Sequence, residues 1–283
     1  MLSSPSRKEI ASLERQRVLG WLAFPVVGSA AIFYMRFIRR NRVKNLAAVR
    51  RRFREITRAR RPIVICANHL TMIDSLLLHW ALSSPMGYMR RFRLFSWNVP
   101  AVENFKRGFA LSLFTYLGKT VAIDRMGSAE HHRAVLGKLG HLLRAGEAVT
   151  IFPEGGRSRT GRVEPAEVTY GVGQVLRDVP DALVVCAYVR GDRQKTWGQL
   201  PARGDEIEVD LEPLEPKTNA DGLRATRDLS RQIILKLKEM EDRHFSRRGS
   251  AATSAGAVSG SGRSFGRTRG GGAAPAADTS LHP

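Results

Sequence analysis

The sequence predicts an α/β fold: a mixed, mostly parallel sheet flanked by helices, preceded by an N-terminal helical segment that associates with a membrane. Three observations predict it. Short apolar runs alternate with helical patterns between about residues 62 and 213. An uncharged stretch, residues 18–35, lies near the N-terminus. A net +11 follows it directly, because residues 36–61 hold eleven arginines and Lys44 against one acid, Glu55.

The elements follow in order. Residues 1–17 are polar and charged. Residues 18–35 have about the minimum length for a spanning helix, but Gly20, Pro25 and Gly28 interrupt them. Trp21 and Tyr34 sit near the ends, where interfacial anchors belong. The expectation is a shallow or re-entrant hydrophobic helix, with a core helix of the same domain as the alternative. The long polar lead-in and the lack of a small-residue cleavage site exclude a secretory signal. Next comes a basic amphipathic helix, with Leu46, Val49, Phe53 and Ile56 on one face. Such a helix can lie in the headgroup plane with its apolar face down, or pack on the domain.

The alternating region offers strands at 62–67, 92–96, 119–124, 147–152, 182–189 and 206–211, and helices at 75–83, 102–116 and 128–144. A further helix is expected near 220–243, with Leu229, Ile233, Leu237 and Met240 in one stripe. From Ser246 the chain is rich in Gly, Ala, Ser and Arg and reads as a disordered tail. Three segments result: 1–61 for membrane association, 62–245 as the α/β domain, and 246–283 as the tail.

The net charge of +20 over 283 residues demands an anionic partner. A polybasic run beside an apolar segment favours anionic membrane lipid, at about 1 kcal/mol per Lys or Arg. Nucleic acid is the competing partner, but aromatics are 7% of the chain and do not interleave with the basic residues as stacking platforms do; no specific nucleic acid is expected. Cys66 and Cys186 both lie in apolar runs, which suits buried thiols in a reducing compartment. No metal-ligand spacing occurs, so no metal is expected.

Candidate chemistry begins at Asn68-His69-Leu70-Thr71-Met72-Ile73-Asp74, just after the apolar run 63–67. A histidine and an aspartate five positions apart at a strand end can pair, the imidazole drawing a proton from a hydroxyl while the carboxylate holds its tautomer. Of the seven histidines, only His69 combines a strand end with a close carboxylate. His79, His131, His132 and His141 fall on helices, and His244 and His282 near or in the tail. A second stretch, Gly118-Lys119-Thr120-Val121-Ala122-Ile123-Asp124-Arg125, brings Arg125 to a strand end, where its guanidinium can fork onto phosphate oxygens or pair with a neighbouring acid. A third, Phe152-Pro153-Glu154-Gly155-Gly156-Arg157-Ser158, follows a buried strand. Its glycines let the backbone approach an anion closely, and Arg157 adds fixed positive charge.

The order NHxxxxD, a glycine leading into IDR, then FPEGxRS resembles the glycerolipid acyltransferase family, which includes lysophosphatidic acid and glycerol-3-phosphate acyltransferases. The resemblance covers roughly residues 60–190. It implies that His69 is the general base on the acceptor hydroxyl and that Asp74 orients it. It implies that Arg125 binds the acceptor phosphate and that Glu154, Gly155, Gly156 and Arg157 line the acceptor site. The co-substrate it implies is an acyl thioester on coenzyme A or acyl carrier protein, with no cofactor. The implied acceptor is a lysophospholipid, foremost 1-acylglycerol-3-phosphate, giving phosphatidic acid. The place it implies is the cytoplasmic face of a membrane; arginine greatly outnumbers lysine, the composition of a GC-rich bacterial genome, so a bacterial inner membrane is expected. The chain departs from the pattern where Gly156 replaces the usual threonine and where the strand at 183–189 lacks a proline. The segment 164–173 also lacks a basic residue near its start. Another lysolipid, an aminolipid or glycolipid, therefore stays open as acceptor, as does an inactive scaffold role.

Overall fold

A computed structural model describes residues 2–103 and 108–260, with side chains through Ser250. The chain divides at Asp242 into two compact units, and the first contains the sheet. Its five strands are β1 (Arg42–Val43), β2 (Ile63–Ala67), β3 (Val149–Ile151), β4 (Leu183–Gly191) and β5 (Glu206–Leu214), in spatial order β1-β5-β4-β2-β3. Only β4 and β5 run antiparallel; the other three pairings are parallel. The expected mixed, mostly parallel sheet is observed.

Helices cover both faces, which is why β2 is apolar at every position. Its side chains alternate between two cores. Ile63, Ile65 and Ala67 face one core, beside Leu183, Val185 and Ala187 of β4. That core is closed by α2 (Leu46–Ile56) and α3 (Asp74–Leu82). Val64 and Cys66 face the other, with Val184 and Cys186. This second core is closed by α6 (Ala129–Arg144), α7 (Gly171–Asp178) and α8 (Gly222–Gly260). Burying a Val or Ile side chain stabilises by about 1.5–3 kcal/mol, so a one-residue slip of β2 would exchange both sets at once. Both cysteines are buried and unbridged; burial pushes the Cys186 thiol up to about 12.

The N-terminal helix starts earlier than hydropathy suggests. Helix α1 spans Arg7–Phe33 and passes into a π-helical turn, Tyr34–Ile38. A capping box sets its start: the Ser6 side chain accepts from the Glu9 amide and Glu9 accepts from Ser6 in return. One stripe faces the domain. Leu13, Gln16, Gly20 and Phe24 are buried. Gln16 donates to the carbonyls of Tyr116 (2.8 Å) and Thr120 (3.1 Å). Phe24 enters an aromatic cluster with Tyr88, Phe92 and Phe95. The opposite stripe, with Val18, Leu22, Val26, Phe33 and Phe37, is exposed. Among the described residues, this is the one helix long and apolar enough to cross a membrane.

Helix α2 resolves its two readings. Val49, Phe53 and Ile56 are buried in the first core, so protein occupies its apolar face and only its arginine face stays open.

Two expected strands are absent. Residues 92–94 form a 3-10 turn, and the stretch at 119–124 makes only isolated bridges, Asn98 with Thr120 and Ala101 with Ile123. Lys119 adopts a left-handed φ of 57°, which ends any extended run there, and Pro100 removes a ladder donor from the facing segment. The expected helix at 102–116 is shorter: α5 spans Phe109–Leu117, and 104–107 lie outside the described residues. A short helix, α4 (Pro85–Arg90), capped by the Ser84 side chain, was not expected; nor was α7. Helix α8 runs past the tail boundary expected at Ser246, and 261–283 of that tail lie outside the described residues.

Candidate active site

The sheet register builds the site. Strands β2 and β3 are parallel neighbours with Cys66 opposite Ile151. Their carboxyl ends therefore release the 68–74 and 152–158 loops side by side, the usual place for a ligand in such sheets. Asn68 extends the ladder by one side chain: its amide donates to the Val189 carbonyl (3.0 Å) and accepts from the Val189 amide (2.7 Å). The chain then turns, and His69 leaves the sheet in a fixed orientation.

Four contacts hold His69. Its amide donates to a Glu154 oxygen at 3.0 Å. Its carbonyl accepts from the Ser158 amide at 2.9 Å. Its ring stacks on Phe152 with centroids 4.2 Å apart and planes at 23°. Its Nδ1 lies 3.0 Å from Asp74 Oδ2. The residue beyond, Leu70, accepts from the Gly198 amide at 2.9 Å. The 152–158 loop thus grips both backbone groups of His69 and one ring face.

Asp74 opens α3 and is 2% exposed. The same Oδ2 accepts from the amides of Leu70 and Thr71, and Oδ1 accepts from the Thr71 hydroxyl. A carboxylate so surrounded by donors acts as acceptor to Nδ1–H. That tautomer leaves the lone pair on Nε2. Among the described residues Nε2 has no hydrogen-bond partner, and the His69 side chain is 16% exposed.

Glu154 is buried beside the pair, near Glu241 and Asp74. Burial, and then those neighbouring carboxylates, push its carboxyl up to about 8, against the pull of the His69 amide. A carboxyl raised in the folded state contributes stability below its ordinary value of 4.5 and loses it as pH rises through about 8. Stability should therefore fall between pH 5 and pH 8, about these two values, and Glu154→Gln should flatten that slope; urea titrations across the range measure both.

The two glycines differ in kind. Gly155 has φ +67°, and a Cβ there would lie 2.4 Å from the Thr169 methyl. Thr169 cannot retreat, because its amide and hydroxyl both donate to the Pro153 carbonyl, at 2.7 and 2.9 Å. Gly156 has open space where its Cβ would be. Gly155→Ala should cost about 1–3 kcal/mol and reduce activity, whereas Gly156→Thr should leave stability within about 0.5 kcal/mol. Thermal melts of the two variants make the comparison.

Arg157 faces the 196–198 turn. Its guanidinium lies over the Trp197 ring, 4.8 Å from the centroid, and donates to the Gly198 carbonyl at 3.0 Å. Gly198 also bridges Thr71, so this turn ties the two loops together. Beyond Ser158, the loop is held from below by Glu241, which accepts from the Val163 amide at 3.2 Å and lies 3.9 Å from Arg190. Arg125 stands apart on an exposed turn, with no ion pair among the described residues.

Of the residues predicted from sequence, the structure joins His69, Asp74 and Glu154 directly, places Gly155, Gly156 and Arg157 on the adjoining loop, and leaves Arg125 outside these contacts. Sequence reasoning missed Phe152 as a ring platform, Ser158 as a backbone clamp, and Trp197, Gly198 and Glu241 as supports. Phe152 and Ser158 at least lay inside the quoted motif. No cluster of His, Cys, Asp and Glu among the described residues could hold a metal ion.

A histidine paired with a buried aspartate at the mouth of a parallel sheet, with its second nitrogen open, is an arrangement able to accept a proton from a hydroxyl. The chain belongs to the glycerolipid acyltransferase family: the Acyltransferase family model matches residues 40–190 and spans all three motifs. The protein is an acyl-transferring enzyme of the glycerolipid type. A search of curated proteins returned no match.

Proposed function

We propose that this enzyme moves a fatty acyl group from a thioester, on coenzyme A or acyl carrier protein, to the hydroxyl of a lysophospholipid at a membrane surface. The acceptor that fits best is 1-acylglycerol-3-phosphate, giving phosphatidic acid. One observation carries the reading: Asp74 Oδ2 lies 3.0 Å from His69 Nδ1, a pairing that favours the Nδ1–H tautomer and leaves Nε2 to take a proton.

The steps follow from the geometry. The acceptor hydroxyl gives its proton to Nε2 as its oxygen attacks the thioester carbonyl carbon. Asp74 stabilises the imidazolium. The tetrahedral intermediate collapses, the C–S bond breaks, and the leaving sulfur takes the proton from Nε2. No enzyme nucleophile is needed, because the thioester is already activated. The amides of Gly156 and Arg157 make no internal hydrogen bond among the described residues, so they are available to the developing oxyanion. Arg157 and Arg125 supply charge for an anionic headgroup.

The exposed stripe of α1 supports a place at the bilayer interface, where both lipid substrates reside. Because the other stripe of α1 is built into the domain, the helix lies along the body of the enzyme rather than standing away from it. Basic residues flank the apolar stretch on both sides, so the cytoplasmic face belongs to this proposal through the family resemblance and not through charge asymmetry.

A second acceptor class, an aminolipid or glycolipid, is favoured by the isolation of Arg125 and by the missing threonine hydroxyl at Gly156. Transfer of labelled acyl groups to a panel of lysolipids, with coenzyme A and carrier-protein donors, tests the proposal. Product with lysophosphatidic acid supports the first reading, and product only with another lysolipid supports the second. No transfer from any donor would remove both and leave a scaffold.

A further inference from the structure

At the end of α1, on the first core's side of the sheet, lies a cavity of about 580 Å³ walled by Arg36, Phe37, Arg40, Asn41, Arg42 and Trp80. Its volume falls within the range of ligand pockets. The walls combine three arginines with two aromatic rings, the composition that suits a molecule with an anionic end and an apolar end. Among the described residues none of the three arginines has an ion pair or a side-chain hydrogen bond. Their charge is not balanced within the protein. The half-buried Arg50 nearby shows the strain: burial, and then repulsion from Arg36 and Arg54, holds its guanidinium below the ordinary range.

Two further features mark the place. Asn41 is wholly buried, with its amide spent on the Ala202 carbonyl at 2.7 Å, yet its Oδ1 is buried and accepts nothing. A buried acceptor without a donor costs about 1–3 kcal/mol, and a ligand hydroxyl or ammonium would satisfy it. The backbone here is also irregular. The π-helical turn carries Arg36 and Phe37, and Arg40 sits at φ 59°; π-turns concentrate at functional positions.

We propose that this cavity binds the phosphodiester headgroup of an anionic glycerophospholipid, separately from the catalytic pair. The arginines take the phosphate, Asn41 Oδ1 accepts from the headgroup hydroxyl, and the acyl chains run onto the exposed apolar stripe of α1. The stripe is continuous with the cavity, because Phe37 belongs to both. The occupant is a lipid rather than a soluble phosphate for that reason. The proposal rests on the reading of α1 as an interfacial helix, but the site can be tested without a membrane.

The probe is dihexanoyl phosphatidylglycerol, soluble as monomers, titrated into the full-length protein by calorimetry. Three proteins are compared: wild type, Arg36→Gln/Arg40→Gln/Arg42→Gln, and a control of equal charge loss on the open face of α2 and beyond, Arg51→Gln/Arg54→Gln/Arg58→Gln. Circular dichroism and a thermal melt establish that each is folded. The expected result is saturable binding that weakens at least about tenfold in the cavity variant, a difference of about 1.4 kcal/mol, and less than about twofold in the control. Equal weakening in both variants would reduce the effect to diffuse charge and overturn the proposal. Displacement of the lipid by free coenzyme A or by inorganic phosphate at similar concentration would also overturn it, by assigning the cavity to a soluble anion. Flotation of Leu22→Glu/Val26→Glu on phosphatidylcholine vesicles with and without phosphatidylglycerol tests the interfacial reading alone. Loss of flotation with retained dihexanoyl binding supports both ideas; retained flotation removes the role of α1 without touching the cavity.

Discussion

Replacing His69 by alanine should lower the transfer rate by about 10²–10⁴-fold while the protein stays folded. The ring makes few contacts that the fold depends on: it is partly exposed, and its main packing partner is the face of Phe152. The backbone of residue 69 would keep its bonds to Glu154 and Ser158 in the variant. The loss should therefore appear in kcat rather than in folding, measured as initial rates at saturating thioester beside a thermal melt. Activity near wild type in the purified variant would eliminate His69 as the base. Asp74→Ala is a less clean experiment. The aspartate also holds the amides of Leu70 and Thr71, so its removal frees the turn as well as the ring. Asp74→Asn keeps one acceptor oxygen and separates the two roles: residual turnover above that of Asp74→Ala measures how much of the loss is loop geometry.

The largest stability effect should come from a residue outside the site. Lys119→Met should destabilise the protein by about 3–5 kcal/mol, because it strands a buried carboxylate. Lys119 is fully buried, paired with Glu147 in an ion pair whose acid is 5% exposed, and it donates to the Phe92 carbonyl at 3.2 Å. Its ammonium also lies over the Phe92 and Trp97 rings. Burial is the stronger influence and pulls it down to about 8 even beside the acid. The pair joins the 92–98 segment to the 119–121 segment, which have no regular strand to hold them. Urea unfolding of Lys119→Met and of the double variant Lys119→Met/Glu147→Gln gives the test. The double variant should recover part of the loss, since it leaves no charge unpaired. An unchanged midpoint for the single variant would show that the pair carries no net stabilisation.

The strands flanking the site were legible because each is a bounded apolar run with a turn after it. Ile63 to Ala67 can only be a strand covered on both faces, and its register with β3 follows from burial. His69 and Asp74 were legible because both partners lie in one short loop. What resisted reading was carried by distant contacts. The stretch around Lys119 has strand composition, yet a left-handed residue and a buried ion pair decide its path. Helix α2 has the amphipathic pattern of a membrane-surface helix, and that pattern is identical to that of a helix docked on a sheet; only Val49, Phe53 and Ile56 in the core separate the two. Arg125 illustrates the converse. The motif marks it, but the structure places it on an exposed turn with no ion pair among the described residues.

The docking of α1 has a consequence for synthesis. Its inward stripe meets Phe92 and Tyr116 only through residues made long after it; Gln16 and Tyr116 are 100 positions apart. At 5–20 residues per second the ribosome needs roughly 5–20 s to supply them. Throughout that interval the nascent helix has both apolar stripes bare. An apolar surface near the ribosome would shelter them until the aromatic cluster arrives to claim one, so the docking of α1 is a late step in the folding of this enzyme.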